Sequence, residues 1–394
     1  MIPLMKNAFF REYETRKALS EFILQADPLS MGRRCLEFEK TFAKWQGRSQ
    51  AVLFNSGGSA NLALMQALRN LGRLGQGDKV GFSALTWSTN VMPVLQMGFT
   101  PVPVDCEPSL LNVSSRNLEA RIREVGLKAL FLTNALGFTG DLEAIRDLCR
   151  EAGIVLLEDN CESLGTELPS GRTGNFGLAS TFSFFVAHHM STIEGGMAAT
   201  DDDELADMLR IVRANGWDRN LSAVKQRMLR KRYNVSSELQ AKYTFYDLGF
   251  NFRPTEITGF LGLFQMKFLD ENTRRRERNH LQIEKVLRGN EDLIPIAHGH
   301  ISRLSPFALP VLCRSERLKE HYLNQFSGAG IEVRPIIAGN IQTQPFYERY
   351  VEERFDLPGT VFVDRCGFYC GNYPELGESD IDLICSCLLK DGDP

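Results

Sequence analysis

The chain has 394 residues, enough for a large α/β domain and a smaller one. With 43% hydrophobic and 24% charged residues it is composed like a soluble globular protein, and a formal net charge of -4 excludes a global attraction for nucleic acid or an anionic membrane. No apolar run approaches the roughly 18 residues of a membrane helix, Met1-Ile-Pro-Leu-Met-Lys6 lacks a signal-peptide pattern, and the nine scattered cysteines have no zinc-ribbon spacing, so a cytoplasmic protein with reduced thiols and no metal is expected.

Helical periodicity covers residues 11–26 through Leu19, Phe22 and Ile23, and Pro28 stops it. Cys35 to Trp45 forms a second helix, with Leu36, Phe38, Phe42 and Trp45 mostly on one face. A strand at Ala51–Phe54, a turn at Asn55-Ser-Gly-Gly-Ser59 and a helix at Ala60–Leu71 follow. Glycines between a strand end and a helix start let backbone N–H groups approach an anion, and the helix dipole favours a phosphate there. Strands at Lys79–Phe82, Thr100–Val104, Ala129–Thr133 and Ile154–Leu157 then alternate with helices at Ser88–Met97, Leu118–Val125 and Asp141–Ala152. That alternation predicts an α/β fold with a mainly parallel sheet covered on both faces. Ligands of such sheets sit beyond the carboxyl ends of the strands, where Glu158-Asp-Asn-Cys-Glu162 falls.

The stretch from Thr181 begins as a buried strand ending near Phe185. Val186-Ala-His-His-Met-Ser-Thr-Ile-Glu-Gly-Gly196 is polar, small and histidine-bearing, a composition suited to a loop that presents side chains to a ligand. A strand at Met197–Thr200 and a helix at Glu204–Asn215 lead into Gly216-Trp-Asp-Arg219. Residues 219–245 form a polar, basic insertion; its run Lys225–Arg232 reads as a solvated helix or loop, part of which can serve a pyrophosphate. Pro254 precedes a long helix from near Thr255, apolar through Ile257, Phe260, Leu261, Phe264 and Phe268 and solvated over Arg274–Arg278. From about residue 290 a smaller α/β unit appears, with a strand at Phe307–Leu312, a helix at Ser315–Phe326, a Gly328–Gly330 turn and Ile331-Glu-Val-Arg-Pro335. The expected domains are 1–253 and 254–394.

The segment Ser183-Phe-Phe-Val-Ala-His188, followed by Glu194-Gly-Gly196, resembles the cofactor-lysine segment of the DegT/DnrJ/EryC1/StrS sugar aminotransferases, which bind pyridoxal 5'-phosphate (PLP). His188 stands where that family carries its Schiff-base lysine. An imidazole can carry a proton but cannot form an imine. Within the family, Ala187-His188-His189 resembles the sugar 3-dehydratases, above all those acting on GDP-linked 4-keto-6-deoxymannose.

The resemblance implies fold type I, aspartate aminotransferase-like, with PLP or pyridoxamine 5'-phosphate (PMP) held without a covalent bond and His188 as acid/base. It implies loss of the C3 hydroxyl from a nucleotide-linked 4-keto-6-deoxyhexose, with GDP favoured as the nucleotide and L-glutamate as amino donor, in dideoxysugar and O-antigen biosynthesis. It assigns Gly57, Gly58, Ser59 and Ser183 to the cofactor phosphate, Trp87 to stacking on the ring and Asp159 to the pyridine nitrogen. Glu162, where relatives usually have Gln or His near the ring's 3-oxygen, is expected to orient the cofactor. Arg219 and Arg334 are candidates for the substrate. Asn251, in Gly249-Phe-Asn-Phe-Arg253, matches an asparagine that reaches the neighbouring subunit's cofactor phosphate, which implies a C2 homodimer with shared active sites. No cysteine lies between Cys161 and Cys313, so no iron–sulfur cluster is expected. Trp87 and Ser183 also suit a core, Asn251 a turn and Arg334 a surface; the competing whole-chain readings are a 4-keto-sugar aminotransferase and a non-catalytic binding module.

Overall fold

The computed structural model of the protein describes residues 1–390. In chain order the strands are β1 (Gln50–Phe54), β2 (Lys79–Ser83), β3 (Thr100–Val104), β4 (Ala129–Thr133), β5 (Val155–Asp159), the short pair β6 (Glu167–Leu168) and β7 (Gly171–Arg172), β8 (Ala179–Ser183), β9 (Gly196–Thr200), β10 (Ala308–Leu312), β11 (Val333–Pro335) and β12 (Gly367–Gly371). Seven of them form one sheet in the order β1-β9-β8-β5-β4-β2-β3. From β3 to β8 all pairs are parallel, and β9 lies antiparallel between β8 and β1. The expected α/β architecture with a mainly parallel sheet and a smaller second unit is the one observed.

Alternation along β1 shows why the sheet is covered twice. Val52 and Phe54 point to one face, packing with Leu64, Leu68, Phe131 and Leu157, while Leu53 points to the other with Phe38, Phe42, Phe182 and Met197. Two buried charged groups inside this core are anchored by hydrogen bonds. Arg213, fully buried, donates to Glu39 Oε1 at 2.5 Å and to the Leu53 carbonyl at 2.7 Å, and the Leu53 N–H donates to Glu39 at 2.9 Å. Glu158 accepts from the N–H groups of Gly174, Phe176 and Gly177, anchoring the segment that leads into β8.

The smaller unit is the antiparallel sheet β10-β12-β11 with its helices, around Leu309, Val311, Tyr322, Phe326, Phe368 and Ile384. Ile2 bridges to Ile331, so the first residues of the chain also pack here. Leu85, Leu136, Phe138, Ala308, Ile336 and Val363 form a shared cluster that seats this unit over the segments following β2 and β4.

Several sequence-based boundaries move. The strand expected to reach Phe185 ends at Ser183, leaving Phe185 exposed. The expected helix Ser88–Met97 is a 3-10 turn, Ser88–Asn90, followed by Met92–Gln96. The long helix expected from Thr255 is two: Glu256–Met266, packed on Arg33–Gln46, and Leu269–Gly289, whose Ile283 and Leu287 enter the small-unit core. Arg276, in the stretch expected to be solvated, is buried and donates to Asn272 Oδ1, Phe307 O and Asn372 O. A charge run marks a solvated face only until tertiary carbonyls close on one of its members. The insertion holds the helix Ala223–Arg232, which buries no residue, and the turn of helix Glu238–Ala241. Among the described residues no helix is long and apolar enough to cross a membrane, and all nine cysteines are free.

Candidate active site

A cavity of about 350 Å³ opens where β5 and β8 end, between the large sheet and the small unit. Its wall includes Gly57, Gly58, Trp87, Asp159, Glu162, Ser183 and His188, seven residues expected from the sequence. Each arrives for a local reason. Ser56 caps the helix Gly57–Asn70 by accepting from the Ser59 N–H at 3.0 Å, which turns the chain sharply from β1 and leaves the amides of Gly57 and Gly58 at a helix N-terminus. A Cβ on Gly57 would meet Ser183 Cβ at 2.7 Å, and one on Gly58 would meet Thr89 Cγ2 at 3.1 Å. Only glycine lets helix start and strand end approach so closely.

Asp159, the last residue of β5, is 4% exposed yet fully engaged: Oδ2 accepts from Asn61 Nδ2 at 2.9 Å and Asn90 Nδ2 at 2.7 Å, and Oδ1 from the Cys161 N–H at 2.9 Å. Three donors fix the carboxylate's orientation. Glu162 accepts from the Leu136 N–H at 2.9 Å, and burial, reinforced by neighbouring Asp159, pushes its carboxyl up to about 7. Trp87 is 57% exposed, presenting its ring at the cavity.

The His188 ring meets Phe307 edge-on at 5.2 Å and Phe185 at 6.1 Å, and its buried Nδ1 has no hydrogen-bond partner. Burial, helped by the Arg276 guanidinium, pushes the imidazole down to about 3, so the ring is neutral near pH 7 and offers a lone pair. His189 faces away, its Nε2 bonded to Ser305 O at 2.9 Å and its own carbonyl accepting from Asn272. Three non-glycine residues with left-handed backbone surround the site: Leu136 (φ 55), Ile193 (φ 71) and Ile337 (φ 49). Such backbone is costly for branched residues and concentrates where surrounding packing dictates the chain path.

The remaining candidates do not line the cavity. Ser59 is turned to Ser56, with the two hydroxyls 2.9 Å apart. Arg219 lies 3.7 Å from the Trp217 ring centroid and donates to Lys242 O, and Asn251 is exposed on a segment bridged to Ala214. Arg334, on β11, pairs with Glu332 at 2.5 Å. Residues that sequence reading missed include Ser56, whose position before the glycine pair is a helix-cap signal, and Asn61 and Asn90, which carry no local signal. Phe307 and Tyr369 reach the cavity only because the small unit folds over it.

Residues 11–389 match the DegT/DnrJ/EryC1/StrS aminotransferase family. The chain belongs to that family. A GDP-4-keto-6-deoxy-D-mannose 3-dehydratase of Yersinia pseudotuberculosis is 33% identical over 359 residues, 89% of either chain. One of the same description from Escherichia coli O55:H7 is 30% identical, covering 92% of this chain and 93% of the relative. Among solved structures, GDP-4-keto-6-deoxymannose-3-dehydratase with a trapped PLP-glutamate geminal diamine superposes with a TM-score of 0.90 at 29% identity, covering 98% of this chain and 100% of that one. The fold is thus that of the PLP-dependent aminotransferases, and His188 stands at the wall of the cavity.

Proposed function

We propose that this family member is a PLP/PMP-dependent nucleotide-sugar 3-dehydratase. It converts a GDP-linked 4-keto-6-deoxyhexose and L-glutamate to the 4-keto-3,6-dideoxyhexose, 2-oxoglutarate and ammonia, in cytoplasmic dideoxysugar biosynthesis. The observation that carries the reading is the imidazole of His188 at the cavity wall, where no lining residue among those described is a lysine.

The residues present fit the cofactor. The amides of Gly57 and Gly58, beside Ser183 at the helix N-terminus, suit its phosphate; the carboxylate of Asp159, fixed by Asn61, Asn90 and the Cys161 N–H, suits its pyridine nitrogen; and the Trp87 ring suits its face. When bound, the cofactor supplies the amine that engages the sugar's 4-keto group and the electron sink that lets the C3 hydroxyl leave as water. His188, with a neutral ring at the cavity wall, takes the proton from the cofactor's C4′, a positioned transfer that typically contributes about a hundred- to ten-thousandfold. Glu162 orients the ring from the side of the Leu136 turn. Gly57, Trp87, Asp159 and His188 hold the cofactor from the large unit, and Phe307 and Tyr369 of the small unit close over it.

The same reading makes the protein a C2 homodimer with shared sites. Arg219, over the Trp217 ring, and Asn251, bridged to Ala214, lie outside their own cavity in a region where Tyr243, Phe245 and Leu248 are exposed, and serve the partner's cavity. Arg334, exposed on the small unit, is available to the nucleotide.

Incubation with PLP, L-glutamate and GDP-, CDP-, UDP- or dTDP-4-keto-6-deoxyhexoses, followed by mass spectrometry, tests the reading. The expected product is lighter than its substrate by one oxygen, with the GDP sugar preferred, and His188→Asn binds the cofactor but yields none. A 4-aminosugar as the product, or full turnover by His188→Asn, would overturn it.

A further inference from the structure

A second polar cluster lies outside the cavity. His280 and Glu284, one turn apart on the helix Leu269–Gly289, face His298 in the connection to β10, and one donor atom from each falls within 4.8 Å of the others. His298 Nε2 and Glu284 Oε1 are 2.8 Å apart. His280 is 3% exposed, and neither of its ring nitrogens has a hydrogen-bond partner. Leaving an imidazole unpartnered in the interior costs the desolvation of its polar atoms, so something other than the surrounding side chains should satisfy it.

The surroundings fit a small cation. The Phe138 ring meets His280 edge-on at 5.4 Å and His298 at 6.4 Å, walling the cluster on one side, while the His298 side chain remains 18% exposed and gives a way in from solvent. Burial pushes the His280 imidazole down to about 4, so the ring keeps its lone pair near neutral pH, and Glu284 is held below the usual carboxylate range with His298 and Arg288 bonded to it. Arg288, 2.6 Å from Glu284 Oε1, is the competing cation; a carboxylate's second oxygen lets it remain as an outer partner of the pair.

We propose that His280, Glu284 and His298 bind one Zn²⁺ ion, with water as the fourth ligand. Two imidazoles and one carboxylate favour zinc over the all-oxygen preference of calcium or magnesium. Bonds of about 2.0–2.1 Å place tetrahedral donors roughly 3.4 Å apart, so a modest rotation of the rings closes the observed arrangement. None of the three residues lines the catalytic cavity, and the ion is structural. The neighbouring loop is already tied to the segments following β3 and β4, since Ala297 N–H donates to Ser109 O at 2.7 Å and His300 Nε2 lies 3.1 Å from Thr139 O. Zinc would fasten the long helix to that same point, locking the small unit over the active site.

The test uses the untagged full chain, stripped with a chelator and titrated with Zn²⁺ and, as a spectroscopic probe, Co²⁺. Equilibrium dialysis with elemental analysis should give one ion per chain, Co²⁺ should develop visible d–d absorption, and the melting midpoint should rise with added Zn²⁺. His298→Ala and Glu284→Gln, at the more accessible edge of the cluster, should each weaken binding by about tenfold or more with unchanged far-ultraviolet circular dichroism. No binding by the wild-type chain, or stoichiometric binding that survives both substitutions and so belongs to other ligands, overturns the proposal. Neither result depends on turnover of a sugar.

Discussion

Gly57→Ala separates a cofactor cradle from an ordinary helix start. The new methyl would lie 2.7 Å from Ser183 Cβ, 3.1 Å from Ser183 Oγ and 3.2 Å from Cys161 Sγ, whereas carbons in good contact stand about 3.5–4.0 Å apart. Overpacking of this kind costs about 1–3 kcal/mol. Alanine recovers up to about 1 kcal/mol of helix propensity over glycine, so the net loss of stability should be small, about 0–2 kcal/mol. The effect on the cofactor should be larger. Pushing the helix start away from β8 removes at least one charge-assisted hydrogen bond to a phosphate, worth about 1.5–3 kcal/mol, or roughly ten- to hundredfold in PLP affinity. Gly58→Ala meets only the movable Thr89 methyl at 3.1 Å and should cost less than tenfold. Absorbance titration with PLP measures the affinities, and urea unfolding of the same samples measures stability. PLP binding by folded Gly57→Ala within twofold of wild type would refute the assignment of this turn to the phosphate.

Glu39→Gln leaves the fully buried Arg213 guanidinium without its counter-charge and should destabilise the chain by about 3–5 kcal/mol, read as a shift of the urea midpoint; a loss below about 1 kcal/mol would show that the pair is not what holds β1 to its two flanking helices. Glu162 gives a pH signature. Its carboxyl is raised from 4.5 to about 7 in the folded chain, so the folded state prefers the protonated form, and this contribution to stability is full below about pH 4.5 and lost as pH rises through about 7. Discounted for the group's partial exposure, the swing is on the order of 2 kcal/mol. Unfolding of the cofactor-free protein at pH 5 and pH 8 should show it in wild type and not in Glu162→Gln; parallel profiles would refute the assignment.

What the sequence determined by itself were the features whose causes are local. Short buried strands alternating with helices, and glycines at the first strand-helix turn, each act within one or two elements, and the sheet follows from them; the seven cavity-lining residues were legible through the family resemblance carried by Ser183, His188 and Glu194-Gly-Gly196. Composition hides what non-local carbonyls and amides do. Arg276 sits in a charged run typical of a solvated helix, and is buried because the Phe307 and Asn372 carbonyls, distant in sequence, turn toward it. Asn61 and Asn90 read as ordinary helix residues until β5 brings Asp159 between them. Only the tertiary structure brought Phe307 and Tyr369 to His188 and His298 to His280, because a side chain's chemistry depends on neighbours whose separation along the chain carries no periodic signal.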